Sequence, residues 1–197
     1  MSDIPTIEDI RKAAERIRPY AHRTPVLTCA TLNERFGVRL FFKCENFQKV
    51  GAFKFRGACN AVFSLSEEEA QRGMATHSSG NHAAALALAA RLRGIRAHIV
   101  MPENSTKTKV AAVKDYGATI TFCKPTLEAR ETVLTEVVEK TGAAFIHPYD
   151  NVRVIAGQGT AALELLQEVL DLDVIMTPVS GGGLMSGTAI AARSLAP

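Results

Sequence analysis

Five short apolar runs punctuate this chain: LFFKCE at 40–45, AHIVMP at 97–102, TITFC at 119–123, AAFIHP at 143–148 and VIMTPV at 174–179. Amphipathic stretches long enough for helices lie between them, at about 7–20, 55–66, 80–94, 106–116, 126–141, 155–170 and 184–195. Strands that alternate with helices are joined by crossovers to parallel neighbours, so the expected architecture is α/β with a mostly parallel sheet. The last helix runs to Pro197 directly after a strand and a glycine loop, and the sheet is expected to be incomplete at that point.

With 47% hydrophobic and 22% charged residues among 197, the chain has material for a substantial core. Its net charge of +3 is small and its basic residues are scattered, so nothing tracks a phosphate backbone and no nucleic-acid role is expected. The N-terminal MSDIPTIEDIRKAAERIRPY mixes acids into a helical pattern and does not read as a signal peptide. No window approaches the roughly 18 consecutive apolar residues of a membrane helix. The four cysteines form no CxxC pair and the histidines show no ligand spacing, which predicts a reduced, cytoplasmic protein without a metal site.

Three loops carry chemical information. In Gly51-Ala52-Phe53-Lys54-Phe55-Arg56-Gly57-Ala58 a lysine stands between two aromatics at a helix start. A partly desolvated lysine amine is a nucleophile toward aldehydes, and Phe53 offers a face for a flat ring. The octapeptide fits equally a pair of solvated charges, Lys54 and Arg56, beside two ordinary core phenylalanines. Thr76-His77-Ser78-Ser79-Gly80-Asn81-His82 precedes the apolar helix AAALALAARL, whose exposed N–H groups would receive a carboxylate or phosphate. Serine and asparagine are also the usual N-cap residues, although capping does not account for two flanking histidines. Ser180-Gly181-Gly182-Gly183-Leu184-Met185-Ser186-Gly187 joins a strand to a helix, and consecutive glycines let backbone N–H groups curl around an anion. It lacks the lysine of a Walker loop, and its GxGxxxG spacing departs from the dinucleotide GxGxxG, which argues against a nucleotide-binding domain. A tight strand-to-helix turn is the plainer alternative.

In this order and spacing, GAFKFRGA, SSGNH and SGGGL resemble the fold-type II pyridoxal 5'-phosphate (PLP) family that contains serine and threonine dehydratases and serine racemase. The resemblance extends through RTPVLTCATLNERFG, MPENSTKTKVAAVKDYGA and HPYDNVRVIAGQGTAALEL, and so covers the whole chain. It implies that Lys54 binds the cofactor's aldehyde, that Phe53 packs on the pyridine ring and that Asn81 hydrogen-bonds the 3'-oxygen. It implies too that Ser180, Gly181, Gly182, Gly183 and Leu184 hold the phosphate. Ser78, Ser79, Gly80, Asn81 and His82 match the loop that receives the substrate carboxylate, and Arg130 matches an arginine near the substrate entrance.

The activity implied is that of an ammonia-lyase, converting a small-molecule hydroxy amino acid such as L-serine or L-threonine to a 2-oxo acid and ammonia. Ser79 stands where racemase-like members place a second acid/base group, so serine racemase and hydroxyaspartate ammonia-lyase are the alternatives. Ala52 replaces the usual serine or threonine two residues before the lysine, and Ser180 replaces the first of four glycines; tuned contacts are expected from both. On this resemblance residues 1–50 and 150–197 are parts of a large domain and 51–149 a small α/β domain, in a family expected to form homodimers. Family members continue past this length with the rest of the large domain, including a residue for the pyridine nitrogen and, in racemase-like members, divalent-metal ligands. A chain ending here is expected to hold cofactor weakly. The alternative of another class is a non-catalytic fragment that binds a phosphate ligand or a partner chain.

Overall fold

A computed structural model describes residues 4–196. Helix α1 (Ile7–Ile17) opens with a capping box between Thr6 and Asp9 and stops before Pro19. It buries Ile10, Ala13 and Ile17, the three-and-four spacing of one helix face. A ribbon of two antiparallel strands, β1 (Val26–Thr28) and β2 (Phe41–Lys43), flanks α2 (Ala30–Phe36). Then follow α3 (Lys54–Phe63), α4 (Glu67–Arg72), β3 (Met74–His77), α5 (Asn81–Arg93), β4 (Ala97–Pro102), α6 (Lys107–Asp115), β5 (Thr119–Cys123), α7 (Leu127–Thr141), β6 (Ala144–Phe145), α8 (Val152–Glu168) and α9 (Gly183–Leu195).

Strands β3 to β6 form one parallel sheet in the order β5-β4-β3-β6. Its two faces follow from the two-residue period of a strand. Met74, Ile99 and Met101 point into the larger core with Phe55, Ala58 and Val62 of α3 and Ala83 and Leu86 of α5. Their neighbours Ala75 and Val100 pack on the opposite face with Leu134 of α7. A separate cluster joins α1, α8 and α9 through Ile10, Ala13, Leu163, Leu166 and Ala191.

The seven expected helices all form, with ends within three residues of expectation. Strand β3 forms at 74–77, where no strand was expected, and runs into the polar Thr76–His82 loop. Its buried Met74, Ala75 and Thr76 are held between β4 and β6, so the sheet makes a strand of four residues that carry little pattern of their own. The expected strand at 174–179 does not form. Val174, Met176 and Val179 stand exposed, Pro178 has no N–H to give, and no described strand lies alongside to supply a ladder. This extended segment forms one wall of an open apolar groove of about 390 Å³ lined also by Phe41, Phe42, Phe53, Leu165 and Leu184. No helix among the described residues is long and apolar enough to cross a membrane.

Candidate active site

The chain reverses just before Lys54. Val50 (φ 60) and Gly51 (φ 68) are successive left-handed residues, and for a β-branched valine that conformation is strained. After this turn Lys54 begins α3 half-buried, with Nζ donating to the Pro148 carbonyl at 3.1 Å and lying 5.3 Å from the Phe53 ring centroid. Burial lowers the Lys54 pKa, because removing water disfavours the ammonium form, and this raises the share of nucleophilic free amine.

Arg56, two residues on, is no solvated charge. Its side chain is fully buried, Nε and Nη2 donating to Glu45 at 2.7 and 2.8 Å and Nη1 and Nη2 to Glu164 at 2.7 and 2.9 Å. Lys43 completes the cluster at 2.8 Å from Glu164. Phe55 is an ordinary core residue, whereas Phe53 is half-buried and faces the apolar groove.

The second loop leaves the C-terminal end of β3. Ser78 N–H donates to the Val100 carbonyl, and Ser78 Oγ accepts from Gly80 N–H at 3.2 Å. Gly80 is the N-cap of α5 and no side chain caps the helix, so Ser79 and Asn81 are not spent on local capping. The first N–H groups of α5 are left for another acceptor. His82, one residue inside the helix, is 3% exposed and neither ring nitrogen has a hydrogen-bond partner. Burial, aided by the charge of Lys54, drops its pKa to about 3; the nearby Ile146 carbonyl works against this without reaching hydrogen-bond geometry.

The third loop wraps around Tyr149. A Cβ on Gly181 would fall 2.1 Å from Tyr149 Cδ1, and one on Gly183 would fall 3.0 Å from the Tyr149 carbonyl. Gly182 is left-handed at φ 87, and α9 starts at Gly183 with no side-chain cap. The result is a glycine-walled turn with free N–H groups at a helix start, a cradle for an anion. Leu184 faces the same groove as Phe53, and Ser180 is exposed.

The segment from Ile146 to Tyr149 brings these parts together. Pro148 receives Lys54, and the Tyr149 ring lies on Gly181. His147 Nδ1 accepts from the N–H groups of Asp150 at 2.9 Å and Tyr149 at 3.4 Å, which leaves its proton on Nε2. The His147 ring meets Tyr149 edge-on at 4.5 Å and His77 at 6.1 Å. Burial lowers the pKa of both histidines, and Arg130 on α7 depresses His77 further while its own buried Nε has no partner. Arg130 is therefore coupled to the site through its electrostatic effect on His77. His147 and Tyr149 escaped the sequence reading, and His77 was noted there only as one of two histidines flanking the start of α5. Their signal was position: each sits at or just after the C-terminal end of a parallel strand, where α/β folds place ligands.

The match to a pyridoxal-phosphate dependent enzyme model runs from residue 17 to residue 197. The chain belongs to that family. Serine racemase of Dictyostelium discoideum is 55% identical over 192 residues, 98% of this chain and 59% of that protein. A beta-hydroxyaspartate dehydratase of Paracoccus denitrificans is 52% identical over 194 residues, 98% of this chain and 62% of its own length. The crystal structure of the Dictyostelium serine racemase superposes with a TM-score of 0.96 at 54% identity, over all of this chain and 64% of that one. The chain thus spans about three fifths of the relatives it matches. The family's cofactor suits the residues present: an amine whose pKa is lowered by burial for the aldehyde, and a turn whose glycines leave no room for a Cβ on the Tyr149 side. Among the described residues no three His, Cys, Asp or Glu side chains converge to hold a metal ion.

Proposed function

We propose that the protein acts at Cα of a small hydroxy amino acid, as a serine racemase in which loss of the β-hydroxyl to give a 2-oxo acid and ammonia is the competing outcome. The observation that carries this reading is the convergence of Lys54, the uncapped start of α5 and the glycine turn of α9 around residues 146–149. The racemase names of relatives such as that of Dictyostelium support it further.

In this reading Lys54 would hold the cofactor's aldehyde, and Ser180, Gly181, Gly182, Gly183 and Leu184 its phosphate, with Asn81 at the 3'-oxygen and Phe53 against the ring. When bound, PLP supplies an electron sink for the pair left when Cα gives up a proton. The rest is done by side chains of the chain. The N–H groups of residues 79, 81 and 82 and the Ser78 hydroxyl, itself held by the Gly80 N–H, bind the substrate carboxylate and fix which bond at Cα faces the amine. The free amine of Lys54 takes or returns the Cα proton on one face. The Ser79 hydroxyl exchanges the proton on the other face, so that both enantiomers form. Arg130 and His77 admit the substrate side chain. In this reading residues 1–50 and 150–197 are parts of a large domain and residues 51–149 a small domain, and the site takes residues from both.

A second reading, ammonia loss from hydroxyaspartate, is favoured by the unpartnered Arg130 Nε beside His77, a setting that suits a second carboxylate. The experiment that separates the readings is chiral analysis of serine beside a 2-oxo acid assay. Ser79→Ala is expected to lower racemisation by about two to four orders of magnitude while elimination persists. Lys54→Ala is expected to abolish both, together with the borohydride-fixed cofactor adduct. Equal loss of both activities in Ser79→Ala would refute a role confined to the second face.

A further inference from the structure

Helix α8 makes backbone-to-backbone contact on two of its faces. A Cβ on Gly157 would lie 2.6 Å from the Cα of Gly57 and 2.7 Å from the Arg56 carbonyl, both in the first turn of α3. A Cβ on Gly187 of α9 would lie 2.6 Å from the Gly159 amide nitrogen and 2.6 Å from the Ile155 carbonyl, both on α8. An ordinary Cβ contact begins near 3.4 Å, so neither crossing has space for a methyl group. Gly157 and Gly159 are two residues apart, which on an α-helix is about 200° of rotation and about 3 Å of rise. The helices α3 and α9 therefore clasp α8 from opposite sides at nearly one level.

Between the two glycines Gln158 is 1% exposed, and its Oε1 accepts the Gly57 N–H at 3.1 Å. Thr160 adds a further tie, accepting from Arg56 Nη1 at 3.2 Å. The site stands on the ends of these clasped helices. Lys54 begins α3 three residues before Gly57, and the Ser180–Gly183 turn ends where α9 begins, four residues before Gly187.

We infer that Gly157, Gln158 and Gly159 are positioning residues that set the spacing between Lys54 and the Ser180–Gly183 turn, matching it to a ligand with an aldehyde at one end and a phosphate at the other. This rests on the cofactor reading above. Neither crossing touches the ligand: each acts through the helix start it locates. Displacing α9 should thus harm phosphate recognition alone, whereas displacing α3 should harm capture of the aldehyde.

PLP and pyridoxal, which has the ring and aldehyde without phosphate, separate the two effects. Binding of each is read from the absorbance of the lysine-bound aldehyde and from borohydride trapping, with circular dichroism to verify folding. Gly187→Ala is expected to weaken PLP about tenfold or more and to leave pyridoxal nearly unchanged; Gly157→Ala is expected to weaken both about tenfold or more. Gln158→Met, which keeps the bulk and removes the acceptor for Gly57 N–H, should weaken both to a smaller degree and carries the test if the glycine variants do not fold. Equal losses for the two ligands in Gly187→Ala, or unchanged binding in Gln158→Met, would overturn the inference alone. Wild-type protein that takes up neither ligand on Lys54 would overturn the cofactor reading itself.

Discussion

His82 is a buried imidazole with no hydrogen-bond partner on either nitrogen, and acidification should unfold the protein through it. Its pKa is about 3 when folded, against 6.5 for the ordinary side chain. Above 6.5 both folded and unfolded forms are neutral and the residue contributes no pH dependence. Below 6.5 the unfolded chain takes up a proton that the folded site refuses, so stability falls until the folded pKa is reached. Each pH unit in that window costs about 1.4 kcal/mol, or about 3 kcal/mol by about pH 4.5. Urea unfolding of wild type and His82→Gln near pH 7.5 and pH 4.5 measures this as a difference of differences. The static cost of the substitution cancels, as do contributions from His77, His98 and His147, which both proteins share. Wild type should lose about 3 kcal/mol more than the variant on acidification. The same pH dependence in both would show that the ring is solvated or partnered, and the reasoning would fail.

Two further outcomes follow from packing and charge. Glu164→Gln leaves Arg56 and Lys43 with half of their counter-charge and should cost about 3–5 kcal/mol in urea unfolding, since a buried charge that loses its partner is penalised heavily. Gly181→Ala forces the Tyr149 ring off the turn, at about 1–3 kcal/mol of overpacking, and should weaken PLP binding; adding Tyr149→Ala should restore much of it.

The seven longer helices were legible because their spacing persists over more than two turns, as in α1 with Ile10, Ala13 and Ile17; α2 and α4, of seven and six residues, are too short to show it and were not expected. Strands β4 and β5 were legible because each is a bounded apolar run. Strand β3 was not, because Met74-Ala75-Thr76-His77 has too few residues to show a period and becomes a strand only through neighbours on both sides. The segment at 174–179 failed in the opposite sense: its residues have strand character, but the ladder that would realise it depends on a lateral partner. Lys54, Asn81 and the glycine turn were legible as residue types suited to an amine, a helix start and an anion. Tyr149 was not, since what singles it out is the absent Cβ of Gly181, a contact between residues far apart in sequence.

The Lys54 amine meets its partner carbonyl across 94 residues, and β3 meets the Ile146 carbonyl, through Thr76, across 70. Contacts of such long range form late, because loop closure must precede the gain. On a ribosome, Lys54 emerges well before the Ile146–Tyr149 segment that desolvates it. During that interval its amine stays in water and keeps the ordinary lysine pKa. The downward shift of the Lys54 pKa is therefore acquired only when the segment after β6 docks beside it: closing the sheet and biasing the amine toward its free form are one event.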